Sequence, residues 1–169
     1  FNQLVNLKNK RKIKKIGVSV YDHIHLDSIL KNYDIDLVQL PFNILDRRMV
    51  DSGMLKKLRK KKIEIHARSI FLQGLLLMSE KKRPIKFNSW KNLWRLWHEW
   101  LNDNKITPLE ASIRYVISRP EISKAIVGVN TKTQLEEIFI SSKGPSLKIP
   151  TELLTNDLIL LNPSNWNNL

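Results

Sequence analysis

The sequence predicts an α/β fold built on a parallel sheet covered by helices, and two observations carry that prediction. Short apolar runs of strand length recur along the chain, and a longer stretch of helical pattern follows each of them. Strands spaced by helices in this way are joined by crossovers, which return each strand parallel to the one before. At 169 residues, 42% of them hydrophobic, the chain is long enough for one packed core and reads as a single domain over residues 1–169.

The first strand is "KIGVSV", Lys15 to Val20, followed by a helix from about His25 to Lys31. The second is "DIDLVQL", Asp34 to Leu40, in which Ile35, Leu37 and Val38 supply the buried side chains; "PFN" ends it, and "RRMVDSGMLKKLRKK" reads as a helix. The third is "IEIHARSIF", Ile63 to Phe71, followed by a loop and the tryptophan-rich helix "NSWKNLWRLWHEWLND". Trp90, Trp94, Trp97 and Trp100 recur there with Leu93 and Leu101 at spacings of three and four, a wide apolar stripe that packs on the sheet or walls a bulky substrate such as a sugar. In "ITPLEASIRYVISRP", Thr107 is the N-cap, Pro108 the first helical residue and Glu110 the partner in a capping box, so a helix runs to about Ser118 before Pro120 forbids its continuation. The fourth strand is "KAIVGV", Lys124 to Val129, and Thr131 with Gln134 repeats the cap ahead of "TKTQLEEIFISS". Ser141 to Pro150 reads as loop.

Composition narrows the function classes. There is no cysteine, hence no disulfide, thiolate nucleophile or cysteine metal site, and no apolar run approaches the roughly eighteen residues of a membrane span. No signal-peptide pattern opens the chain, and the expected setting is cytoplasmic. The formal charge of +13 raises the alternative of a basic nucleic-acid-binding module. Runs such as "LKKLRKKK" carry no interleaved aromatics, however, and read as solvated helix faces, so nucleic acid is not an expected partner. His23 and His25 alternate without carboxylate ligands at metal spacing, and His66 reads as a satisfied core histidine; no metal site is expected. The chain begins with Phe1 rather than methionine, a weak sign of a missing beginning.

Each strand ends in polar residues that a core does not require: Ser19, then Gln39, then Arg68 and Ser69, then Gly128 and Asn130. The C-terminal ends of parallel strands are where α/β folds build their sites.

The phrases "KIKKIGVSVYD", "DIDLVQLPFNILDRR", "EIHARSIFLQGLLL", "TPLEASIRYVISRPEISKAIVGVNTKTQLEEI" and "LNPSNW" resemble, in order and spacing, the second half of an aldo-keto reductase, over about Leu4 to Trp166. The resemblance implies a partial (β/α)₈ barrel, with units like its fifth to eighth, of the roughly 250 residues of a whole one. It implies a nicotinamide cofactor, NADP or NAD, and a small carbonyl substrate. Ser19 and Gln39 match the positions that bond the nicotinamide carboxamide, while Val20 stands where many members have asparagine. Arg68 stands where many members stack an aromatic on the nicotinamide ring. Ser69, Phe71, Gln73 and Gly74 match the loop near the pyrophosphate. Gly128, Val129, Asn130 and Thr131, with Gln134 and Glu137, match the segment at the adenosine end, where Ile138 replaces a usual asparagine. A basic residue is common at the place of Gln134 for the 2′-phosphate of NADP, and Lys132 is expected to replace it. The family's catalytic tyrosine, lysine, aspartate and histidine lie on its first four units, so no catalytic residue carries over. Tyr33 and Tyr115 read as packing and Tyr21 as a residue at the mouth of the site. A non-catalytic remnant that binds a nucleotide or a partner protein is the alternative. A half-barrel also leaves two open sheet edges, through which self-association is expected.

Overall fold

The computed structural model describes residues 1–168. In chain order its elements are α1 (Asn2–Asn9), β1 (Gly17–Ser19), α2 (His23–Asn32), β2 (Leu37–Pro41), α3 (Arg48–Asp51), α4 (Met54–Lys60) and β3 (Glu64–Arg68). These are followed by α5 (Lys91–Asp103), α6 (Pro108–Ile117), β4 (Lys124–Ala125), α7 (Lys132–Ser141) and α8 (Leu158–Leu161), with short 3₁₀ turns between Leu75 and Trp90 and after Thr151. The four strands form one parallel sheet in the order β1-β2-β3-β4. This is the α/β arrangement expected from the alternation of strand and helix patterns.

One face of the sheet is packed and the other open. Val38, Leu40, Ile65 and Ala67 are fully buried under the helices, joined by Leu26, Leu58, Val116 and Tyr115 from α2, α4 and α6. The residues between them turn the other way. Ser19, Gln39, His66 and Lys124 lie side by side in the ladder register on that inner face, one step beyond Gly17, Leu37 and Glu64. The inner face is therefore polar where a closed barrel is filled by branched apolar side chains. Glu64 gathers two lysines and an imidazole: Lys15 donates to it, His66 Nε2 lies 2.7 Å away and Lys124 3.6 Å away. These partners, Lys15 first, hold the Glu64 carboxyl down to about 2. Because that lies below the ordinary 4.5, the stabilisation is complete above about pH 4.5 and is lost as the pH falls toward 2.

Gly17 explains the glycine at the start of β1. A Cβ there would stand 2.7 Å from the Leu37 carbonyl oxygen and 2.9 Å from the Leu37 Cβ, both on the neighbouring strand. Gly17→Ala is expected to force β1 away from β2 and to cost about 1–3 kcal/mol, the usual range for overpacking. A urea titration checks it, and an unchanged midpoint would mean that β1 is not held tightly against β2.

Several boundaries differ from the sequence expectation, each for a physical reason. The helix expected over 47–61 is two helices, because Gly53 takes the left-handed conformation (φ 72°) and breaks it. The third strand stops at Arg68, since Ser69 also turns left-handed (φ 56°). The fourth strand is only two residues long; Ile126 still donates to the Ala67 carbonyl at 2.7 Å, and Ile126 to Val129 line a cavity. His66 is satisfied by Glu64 but lies on the inner face rather than in the core. The capping box at Thr107 and Glu110 and the second cap at Thr131 are formed as the sequence indicates. No helix among the described residues is long and apolar enough to cross a membrane.

The tryptophan stripe of α5 packs, and none of its members lines either of the two cavities described below. Each indole N–H that the packing buries is also used. Trp97 Nε1 donates to the Leu76 carbonyl at 3.2 Å, Trp94 Nε1 to the Phe87 carbonyl at 3.0 Å and Trp90 Nε1 to Asp157 Oδ2 at 2.9 Å. The stripe is thus both the hydrophobic contact and the tether of the irregular segment from Leu75 to Trp90.

Candidate functional site

The C-terminal end of the sheet carries two cavities that meet at Ser69. The larger, about 640 Å³, lies between the loop after β3 and the loop from β4 into α7. From the first loop it takes Ser69, Phe71, Gln73 and Gly74; from the second, Gly128, Val129 and Asn130, with Gln134 and Glu137 from α7. Most of the positions matched to cofactor binding in the sequence are therefore brought to one wall system. Leu77, Leu109, Ile126 and Ile138 supply an apolar lining, of which only Ile138 drew notice in the sequence.

The backbone of the first loop has a conformation that needs explaining. Leu72, Gln73 and Gly74 are left-handed in succession, with φ of 46°, 54° and 83°, and Ser69 is left-handed just before them. Non-glycine residues reach this region at a cost of about 1–2 kcal/mol each. The loop's internal bonds run from Leu72 N–H to the Ser69 carbonyl, Leu75 N–H to the Leu72 carbonyl and Leu76 N–H to the Phe71 carbonyl. That leaves the N–H groups of Gln73 and Gly74 without a backbone partner. Gln73 and Gly74, whose N–H groups are left free, line the larger cavity, which no lysine or arginine lines.

The opposite wall is closed by capping. Thr131 accepts from Gln134 N–H at 3.2 Å, and Gln134 Oε1 accepts from Asn130 N–H at 2.8 Å, which fixes the Gly128–Thr131 loop against α7. Lys132 lies outside the cavity, 88% exposed, with its ammonium 3.3 Å from Glu136. Thr131 likewise shapes the wall without lining it.

Ser19 and Gln39 do not line either cavity. They are direct partners in the β1–β2 ladder, on the inner face next to the strand ends, so their side chains share one approach to a ligand lying across the sheet. Arg68 lies above them. Its guanidinium rests 4.4 Å over the Tyr21 ring, donates from Nη2 to the Val20 carbonyl at 3.2 Å and approaches Ser69 Oγ at 3.3 Å. One plane of Arg68 is thus occupied by Tyr21, and the residue bridges the ends of β3 and β1.

The second cavity, about 610 Å³, opens beside Tyr21 and Arg68, between the start of α2, the start of α3 and the tail around α8. Its polar lining is balanced: His23, Arg68, Asn156 and Asn162 offer donors, and Asp22 and Asp51 offer carboxylate acceptors, among apolar groups such as Ile24, Leu158 and Leu161. His23 Nδ1 and Arg68 Nε are buried without a hydrogen-bond partner. Nothing in the sequence marked Asp51, Asn156 or Asn162, which meet here only through tertiary packing. Tyr115 is remote from both cavities, buried in α6 and stacked on Phe42 at 5.4 Å. Burial, first of all, pushes its hydroxyl above the ordinary value.

Residues 1–148 match the family model of the aldo/keto reductase family. The chain belongs to the aldo/keto reductase family. Among solved structures it is similar to the aldo-keto reductase AKR11C1 from Bacillus halodurans. The apo form has a TM-score of 0.71 and 19% identity, covering 90% of this chain and 53% of that one. The holo form has a TM-score of 0.69 and 16% identity, covering 87% and 50%. The thermostable aldo-keto reductase Tm1743, solved with the inhibitor epalrestat, has a TM-score of 0.61 and 20% identity, covering 95% and 52%. At these identities the likeness is one of fold. This aldo/keto reductase chain spans about half the length of the structures it matches. No curated protein matches it.

Proposed function

We propose that the chain forms the cofactor-binding half of an NAD(P)H-dependent aldo-keto reductase, acting on an aldehyde or ketone when four further strand and helix units complete the barrel. The left-handed run at Leu72–Gly74 carries this reading, because it offers backbone donors for a diphosphate in a cavity that also has an apolar floor and a carboxylate, Glu137. Ser19 and Gln39 would hold the carboxamide of the nicotinamide, and Arg68 would lie on the ring. Phe71, Gln73 and Gly74 would follow the diphosphate, and Gly128 to Thr131 with Gln134 and Glu137 the adenosine. When bound, a reduced nicotinamide supplies the hydride for the carbonyl carbon. The proton for the carbonyl oxygen would come from the completing units, since the family's catalytic tyrosine matches none of the tyrosines of this chain and Tyr115 is buried. The cavity beside Tyr21 would take the carbonyl compound, and its balance of donors and carboxylates suits a polyhydroxylated one such as a sugar. The edges of β1 and β4, outermost in the sheet, are the places where the chain associates with those units or with itself.

The phosphorylated cofactor is the preferred one in this proposal, through Lys132. Its pair with Glu136 is exposed and four residues apart, worth about 0.3–0.5 kcal/mol, whereas a charge-assisted bond to a phosphate is worth about 1.5–3 kcal/mol. The pair therefore yields to a 2′-phosphate.

Titration of the chain with NADPH and NADH, followed by tryptophan fluorescence, tests both steps. Gly128→Phe is the diagnostic variant, because a Cβ at Gly128 meets nothing within 4 Å, so the fold accepts it while the cavity loses space. Saturable binding that weakens roughly tenfold or more in that variant is expected, as loss of about 1.4 kcal/mol implies. Lys132→Ala is expected to weaken NADPH by a similar factor and to leave NADH unchanged. Absence of saturable binding, or binding indifferent to Gly128→Phe, would refute the cofactor site; equal losses for both cofactors in Lys132→Ala would refute the phosphate contact.

A further inference from the structure

We infer that Arg83 and a neutral His98 are positioning residues for the anion-binding loop, clamping its downstream end to α5. The loop at Leu72–Gly74 runs straight into the 3₁₀ turn Leu75–Leu77 and then Met78. Two carbonyls of that stretch are held from elsewhere: Leu76 by the Trp97 indole, and Met78 by Arg83 Nη2 at 3.1 Å. The same Nη2 lies 3.0 Å from His98 Nε2. The guanidinium rests 4.3 Å over the Trp94 ring, and its Nε is buried with no partner. Arg83 is thus sandwiched between the segment and α5, with His98 and Trp94 as its two supports on the helix.

The chemistry of that contact requires one protonation state. A guanidinium has donors only, so His98 Nε2 can face it only as an acceptor, with the imidazole neutral. A second proton places two cationic donors face to face and removes the support. Burial, and then the Arg83 charge, keep the His98 imidazole below its ordinary value, so it is neutral near pH 7. Glu80, from the 3₁₀ turn Glu80–Lys82, acts the other way; Arg95, the charged neighbour one turn back on α5, is paired with Glu99 at 2.7 Å. Because the folded value lies below the ordinary 6.5, the clamp is intact above about pH 6.5 and is lost as the pH falls through the folded value. The left-handed loop is costly on its own, and its shape depends on what holds its ends.

The inference rests on the proposed cofactor site for its consequence but not for its test. Hydrogen exchange of the segment 72–83, corrected for the intrinsic pH dependence of exchange, is measured from pH 5 to 8, beside NADPH titrations at the same pH values. Protection of this segment is expected to fall toward pH 5 in the unmodified chain, with a parallel loss of NADPH affinity. His98→Gln retains a side-chain acceptor that does not titrate, and is expected to keep the protection and flatten its pH profile. Arg83→Lys keeps the charge without the fork and is expected to lower protection about tenfold at pH 7 while the chain stays folded by circular dichroism. A pH profile unchanged in His98→Gln, or protection unchanged in Arg83→Lys, would overturn the clamp. A chain that shows the clamp's exchange signature yet binds no dinucleotide would uphold the clamp and remove the cofactor reading.

Discussion

Replacing Trp97 with alanine is expected to lower the stability of the chain by about 3–5 kcal/mol, the range for truncating a buried tryptophan. Trp97 is fully buried, stacks on Trp100 at 5.6 Å and donates to the Leu76 carbonyl, so truncation leaves a cavity and an unpaired acceptor together. For a chain of this length each kcal/mol shifts the melting temperature by roughly 2–4 °C, so a drop of about 10 °C is expected in a thermal scan. Trp97→Phe keeps an aromatic ring in the site while losing the N–H and part of the indole volume, so its melting temperature is expected to lie between those of the unmodified chain and Trp97→Ala. A melting temperature that moves by less than about 3 °C in Trp97→Ala would mean that the indole is not part of the core.

The second large effect is on turnover. The chain by itself is expected to reduce no aldehyde or ketone at a rate approaching about 1 s⁻¹, itself a low value for an enzyme. Hydride transfer leaves an alkoxide that must be protonated, and the family's catalytic tyrosine matches none of the tyrosines of this chain. Tyr115 is buried beside Phe42 and Arg119 and lines neither cavity; Tyr21 lines the second cavity with one ring face under the Arg68 guanidinium. NADPH oxidation at 340 nm with a panel of carbonyl compounds is the measurement. Turnover at or above that rate by the 169-residue chain would place a proton donor within these residues and would sink the half-site proposal.

Much of the fold is written in local signals, and the exceptions are tertiary. The capping box at Thr107 and the Thr131 cap are short-range chemistry, and both are found where the pattern places them. The helix α1 carries Leu4, Val5 and Leu7 but buries none of its residues, so no core contact singles it out. Ile126 to Val129 have the composition of a strand, but the ladder of β4 extends only over Lys124 and Ala125, and composition carries no information about where pairing stops. At the candidate site, the members of the two loops were marked together by the family resemblance, which runs along contiguous stretches of the chain. Asp51, Asn156 and Asn162 were not, since they come from distant segments. Arg83 and His98 were invisible for another reason: an arginine in a polar stretch looks solvated until its partners are known.

The inner-face ion cluster around Glu64 has a consequence for alignment during folding. Parallel sheets pair strands that are distant in sequence, and such pairing forms slowly. A slip of β3 by one residue would rotate Glu64, His66 and Arg68 toward the helices, and would carry Ile65 and Ala67 to the open side. Glu64 would then be driven into the apolar layer, away from Lys15 and Lys124, where an unpaired carboxylate is heavily penalised. Misaligned sheets are thereby rejected by charge as well as by lost apolar burial, so the cluster works as a proofreader for strand register in a sheet whose first and last members are only three and two residues long.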